Sequence, residues 1–356
     1  MRYLIISILY TFFSLNNVFG NEETLIQITP CMLQVLDYDA AVKKIEPLLL
    51  PYTWPSTSIV DGTPLSAEPM KDLARAVAVA RFAATSDQVA TELSQQLSTD
   101  PKLRTAAFFN LYSRAYDRAV LYADGYRRLV AIVSYYASLL STSNMGRNLD
   151  VLDMGAGTGN FSFLLSWEHP EWFYSLVDFS KDSLKLAREK MEAARIGAHI
   201  ARPNYRTLLC DLRKDVNLGP NSRFTAESQD VIILNSVIYN FPPDEKREIL
   251  LSLKKILRPG GLLFLGEPLP EFQIDPGKKF ELYKAIAESA INHGSPLNDY
   301  DTSLLAGLNR FLIEDSPRFQ TFEEQGALGT GVGLTEIARG KPYYNSAGFW
   351  VFRKPR

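Results

Sequence analysis

The stretch VLDMGAGTGNFSF, residues 151–163, sets Gly155, Gly157 and Gly159 at alternate positions between two apolar runs. Glycines at this spacing remove side chains from a tight turn, so a flat ligand can lie directly on the backbone. A dinucleotide fingerprint would need its last glycine one place further on, where Asn160 stands, and no lysine follows as a triphosphate loop would require. The next apolar run, SLVDF, ends on Asp178. A carboxylate there can accept hydrogen bonds from a free ribose diol and would repel a 2′-phosphate. The spacing therefore favours a non-phosphorylated adenosine-type ligand over a nicotinamide dinucleotide. The same aspartate could instead cap a helix beginning at Ser180. No residue is marked as a base by its sequence context. By position, His293, Glu267, Tyr239 and Asp301 are the groups that could take a proton.

Elements of regular spacing must position these residues. From Leu149 onward short apolar runs alternate with amphipathic segments. LDVLDM, WFYSLVDF, YRTLLCDL and DVIILNSVI read as strands, with helices at NFSFLLSW, KDSLKLAREKMEAARI and DEKREILLSLKKIL. RPGGLLFLGEP turns at Pro259-Gly260-Gly261 into a fifth strand, and GLTEIARGKPYYNSAGFWVFRKP reads as a terminal β-hairpin. This alternation predicts an α/β fold with a doubly wound, mostly parallel sheet. Upstream, the chain reads as mostly helical. Leu129, Val133, Tyr136 and Leu140 recur on one helical face, and Asp100-Pro101 is a helix start. The expected organisation is a segment 1–20, a helical cap 21–148 and a ligand-binding domain 149–356 carrying a helical insert at 271–330.

Composition narrows the function. The chain has 356 residues, is 46% hydrophobic and 22% charged, and carries a formal net charge of −2. That balance offers no basic stripe for nucleic acid. Two cysteines, Cys31 and Cys210, make no disulfide scaffold, and the three histidines His169, His199 and His293 are too dispersed for a metal site. Residues 1–20, with Arg2 ahead of an apolar run, have the layout of a secretory signal with cleavage after Gly20, or of a membrane-contacting anchor. The run is shorter than the ~20 apolar residues of a membrane span.

Taken in order, these motifs resemble the class I S-adenosylmethionine-dependent methyltransferases of the small-molecule type. The resemblance covers about residues 149–268. VLDMGAGTGNF resembles the family's glycine-rich first motif, and Asp178 its ribose-binding acidic residue. It implies that Asp211 and Leu212, in CDL, flank the adenine, and that Asn235 lies near the methionine part of S-adenosyl-L-methionine. Asp153 would orient the glycine loop, or the cofactor's amino group through water. NLYSRAYDRAVLY resembles the helical segment ahead of the core, where Tyr116 would close over the cofactor. Asp211 as a solvated loop carboxylate and Tyr116 as a core residue are the plain alternatives.

The implied activity is in-line methyl transfer to a small or lipid-like acceptor, by O-, C- or N-methylation. A catalytically silent scaffold that keeps the fold is the rival. NFPPDE, residues 240–245, departs from the [D/N]-P-P-[aromatic] loop of amino-methylating nucleic-acid enzymes, since Phe241 interrupts it and Asp244 replaces the aromatic. The cofactor is made in the cytosol, which favours a cytoplasmic catalytic domain and conflicts with export. An anchored protein, an uncleaved N-terminus, or a start at Met32 would resolve the conflict. The sequence leaves the oligomeric state open.

Overall fold

In the computed structural model, residues 26–27, 38–45, 117, 120–212, 216, 222–270 and 319–356 are described, with single positions between 278 and 293. Residues 1–20, Cys31, Met32, Asp100-Pro101, Tyr116, Asp301 and most of the 271–330 insert lie outside the described residues. The strands are β1 (Ile26–Gln27), β2 (Asp150–Met154), β3 (Phe173–Asp178), β4 (Tyr205–Leu209), β5 (Gln229–Asn235), β6 (Leu257–Pro268), β7 (Thr335–Tyr343) and β8 (Ala347–Arg353). The helices are α1 (Tyr38–Ile45), α2 (Asp124–Ser143), α3 (Asn160–Glu168), α4 (Lys181–Gly197), α5 (Pro243–Ile256) and α6 (Phe322–Gly331), with a short 3-10 turn at Ile238–Asn240.

The strands form one eight-stranded sheet in the order β1-β7-β8-β6-β5-β2-β3-β4. β2 through β6 are parallel, and β8 runs antiparallel between β6 and β7. The expected doubly wound, mostly parallel sheet is therefore present. β1, which the sequence pattern did not mark, adds to the edge beside β7. Strand order reverses at β2, whose neighbours are β3 and β5. Ligands of open α/β sheets bind at such a switch point, beyond the carboxyl ends of the strands.

Burial explains the strand sequences. β5 is covered on both sides and reads as an unbroken apolar run, Val231 to Leu234. One face of the sheet packs on α2, α3 and α4, the other on α5. α3 is apolar nearly all round, because Phe161, Phe163, Leu164 and Leu165 are all buried. α2 buries Leu129, Val133, Tyr136 and Leu140, the face its periodicity marked. Pro259-Gly260-Gly261 lies within the β6 span rather than before it. The register steps from Gln229↔Leu257 to Val231↔Leu262, so the turn is an irregularity inside the paired strand. Gly260, at φ +79°, accommodates it. The terminal hairpin turns through Tyr344 and Asn345, both left-handed, which matches the right-handed twist of its strands.

Candidate ligand site at the carboxyl edge of the sheet

The loop after β2 is built from glycines with separate jobs. Gly155 (φ +72°) donates its N–H to the Val177 carbonyl at 2.8 Å, and a Cβ there would overlap the Val237 side chain. It lets the loops after β2 and β5 approach. Gly159 (φ +73°) caps the start of α3, and a Cβ would come within 2.8 Å of both Ala187 and Leu176. It thus permits close packing of the α3 start on β3 and α4, the role a dinucleotide loop gives to a glycine one place later. Gly157 (φ +53°) has nothing within 4 Å of where its Cβ would be. A side chain there would project into open space over the loop.

Asp178 faces that space from the end of β3. Its Oδ2 accepts the Gly157 N–H at 2.8 Å, and its Oδ1 accepts the Ser180 N–H at 2.7 Å. Burial raises its pKa above the usual carboxylate range, against the pull of these backbone donors. The Phe179 N–H bears on the same carboxylate, so three backbone donors occupy most of its acceptor sites and about one is left for a ligand hydroxyl. Capping of α4 falls to Ser180, whose hydroxyl accepts the Ser183 N–H at 3.2 Å. Phe179, next in sequence, is 46% exposed, unusual for so large an apolar ring. Sequence reading passed over it, although its place directly after Asp178 was the available signal. Asp211 and Leu212 follow β4 at the same edge, and both are half-buried.

Asp153 serves the protein's own backbone and Ser162. It is buried and accepts the Ser162 hydroxyl at 2.8 Å and the Ser162 N–H at 3.3 Å, so it ties β2 to α3. Burial pushes its pKa up to about 6. Because the folded value exceeds the unfolded one, the folded state binds more protons between about pH 4 and 6, and stability falls as pH rises through that window. The cost is fully present above it, on the order of 3 kcal/mol. Asp153→Asn is expected to lack this loss. Urea unfolding of wild type and variant at pH 4.5 and pH 7 checks it, and parallel shifts would count against the assignment.

β5 ends on Asn235, whose Oδ1 lies where a Cβ on Gly266 would be, and the loop follows. Ser236 adopts φ +56° and donates its N–H to the Gly266 carbonyl at 2.6 Å. Such a conformation is costly for a non-glycine residue and collects at functional edges. Glu267 holds this loop. Its Oε1 accepts the N–H groups of Val237 (3.1 Å) and Ile238 (2.9 Å), and its Oε2 that of Tyr239 (2.9 Å). The side chain is fully buried, and burial pushes its pKa up to about 7. Both oxygens of Glu267, a candidate proton acceptor by position, thus serve the backbone. Tyr239 is the adjoining candidate. It is buried, stacked on Phe319 at 5.7 Å, and burial drives its pKa further up. Pro242 and Pro243 start α5, with Asp244 and Glu245 in its first turn, so this Pro-Pro pair begins a helix.

His293 is placed differently. Its Nε2 lies 2.8 Å from Asp124 Oδ1 at the start of α2, and the Asp124 N–H is held by the Ser289 hydroxyl at 2.9 Å. Gly125 packs against Tyr343 and Tyr344 of the hairpin turn, which pairs beside Pro268 at the carboxyl end of β6. The His293–Asp124 pair thus stands at the same sheet edge as the glycine loop, and the His293 side chain is 32% exposed. Sequence spacing could not reveal it, since the partners are 169 positions apart. Among the described residues no group of acidic, His or Cys side chains could hold a metal, and no helix is long and apolar enough to cross a membrane.

Comparison with known proteins points the same way as the geometry. Residues 152–263 match the family model of a methyltransferase domain. The chain is 25% identical over 137 residues to the release factor glutamine methyltransferase of Streptococcus pneumoniae, covering 38% of this chain and 46% of that one. It is 30% identical over 119 residues to a human tRNA N(3)-cytidine methyltransferase, covering 32% and 37%. The alignments thus span less than half the length of these relatives. Magnesium protoporphyrin IX methyltransferase of Synechocystis, solved with S-adenosylhomocysteine, aligns with a TM-score of 0.46 and 15% identity over 71% of this chain and 99% of that one.

Proposed function

We propose that this chain, whose core belongs to the class I S-adenosylmethionine-dependent methyltransferases, transfers a methyl group to a small or lipid-like acceptor. The observation that carries the reading is the open space over Gly157, bordered by the Asp178 carboxylate at the switch point of the sheet. S-adenosylmethionine, when bound, supplies a methyl group activated on a sulfonium. The residues present fit it. Asp178 would accept one of its ribose hydroxyls, and the Gly155–Gly159 backbone would carry its amino-acid part. Phe179, Asp211 and Leu212 would border the adenine. Asn235, at the end of β5 just ahead of the loop pinned by Glu267, would face the reacting end. The protein's task is then to align the acceptor and exclude water.

The small-molecule reading is supported by the net charge of −2 and by a Pro-Pro pair committed to starting α5. The relatives that act on tRNA or a protein factor make those acceptors the necessary controls. We place the catalytic domain in the cytosol, where its cofactor is made. Calorimetry of S-adenosylmethionine with the full chain tests the cofactor. Micromolar binding supports the reading, and no binding by folded protein would favour a silent scaffold. Within the proposal, His293 held by Asp124 takes the acceptor's proton. For a protic acceptor, His293→Ala is expected to lower kcat about a hundredfold and leave the cofactor Kd unchanged. An unchanged kcat would remove His293 from the chemistry.

A further inference from the structure

A fully buried ion pair lies behind the glycine loop. Lys190 Nζ stands 2.8 Å from Asp117 Oδ2, and neither side chain is exposed. Asp117 Oδ1 accepts from Thr158 Oγ1 at 2.5 Å and from Asn160 Nδ2 at 2.8 Å. Lys190 Nζ also donates to Asn160 Oδ1. Three parts of the chain meet here: helical Asp117, whose carbonyl accepts the Leu121 N–H, then Thr158 with Asn160 at the start of α3, and the middle of α4. Lys190 sits on the apolar stripe of α4, among Leu184, Ala187, Met191 and Ala194. A charged residue on such a stripe is rarely fully buried unless paired.

Stability alone does not account for this arrangement. Burying two charges costs several kcal/mol per ion, and well-packed apolar residues of like volume often serve as well or better. What the network adds is direction. Thr158 and Asn160 flank Gly159 and directly follow Gly157, so bonds to both side chains fix the backbone between them. We infer that Asp117 and Lys190 are positioning residues for the cofactor loop. They hold residues 157–160 in the conformation that presents Gly157 to the cofactor, and they fasten the chain at Asp117 to that loop. The inference rests on S-adenosylmethionine occupying the site.

The test compares wild type with Lys190→Met, Lys190→Met/Asp117→Asn and Thr158→Val in the full chain. S-adenosylmethionine Kd and dissociation rate are measured beside the urea midpoint and hydrogen exchange of residues 155–160. The double variant removes both charges and leaves none unpaired, so it is expected to stay folded, whereas Lys190→Met alone should lose stability. It is expected to bind S-adenosylmethionine about tenfold more weakly or worse, mainly through faster dissociation. Amides of residues 155–160 should exchange faster, while those of β5 stay as in wild type. Thr158→Val, which keeps the ion pair, should show the same pattern more weakly. Wild-type affinity and loop exchange in a folded double variant would overturn the inference and leave the cofactor site standing. Failure of wild type itself to bind would overturn both.

Discussion

Asp178→Ala is expected to weaken S-adenosylmethionine binding by about tenfold or more. The carboxylate is buried, borders the open space above Gly157, and after its three backbone donors keeps about one acceptor site for a ribose hydroxyl. Hydrogen bonds to a charged acceptor contribute about 1.5–3 kcal/mol each. Losing one such bond exceeds the 1.4 kcal/mol that corresponds to a tenfold change in Kd. The substitution also strands the N–H groups of Gly157 and Ser180, so the unfolding midpoint should fall as well. Asp178→Asn separates the two effects. It keeps an acceptor for the backbone but turns a donor toward the ribose, and it should lose affinity with a smaller stability loss. Titration calorimetry beside urea unfolding measures both. A folded Asp178→Ala protein with wild-type affinity would place the ribose elsewhere.

The second large effect separates glycines that look alike in the sequence. Gly159→Val should destabilise the fold by roughly 2–5 kcal/mol, a large share of the 5–15 kcal/mol typical of a domain. A left-handed residue with a Cβ costs about 1–2 kcal/mol. The side chain would also be driven into Ala187 and Leu176, 2.8 Å from its Cβ, and such overpacking costs about 1–3 kcal/mol. Gly157→Ala shares the backbone cost but meets nothing within 4 Å, so its stability loss should stay near 1–2 kcal/mol. Its methyl group enters the proposed ligand space, and the loss should appear in the S-adenosylmethionine Kd instead. Urea unfolding and calorimetry on both variants check the crossing pattern. Equal effects of the two substitutions on stability would contradict the division of roles.

Much of this protein is legible from its residues in order. Apolar runs of strand length alternating with amphipathic segments specify the parallel sheet, because a strand covered on both sides must be apolar throughout, as Val231–Leu234 are. The glycine spacing and the acidic residue closing the next strand mark the loop and its partner, because both act through the backbone near their own positions. Other features belong to the tertiary structure. Glu267 is an ordinary glutamate in the sequence, and only the approach of β6 to the loop after β5 sets it on three backbone amides. Asp117 and Lys190 are 73 positions apart, and His293 and Asp124 169. No local pattern links such partners. Whether a charged group is a base, a loop anchor or half of a buried pair depends on which distant element closes over it. Local spacing determines the elements and the backbone-borne part of the site. Long-range packing decides the role of each ionisable side chain, because burial and the nearest donors set its charge and its reach.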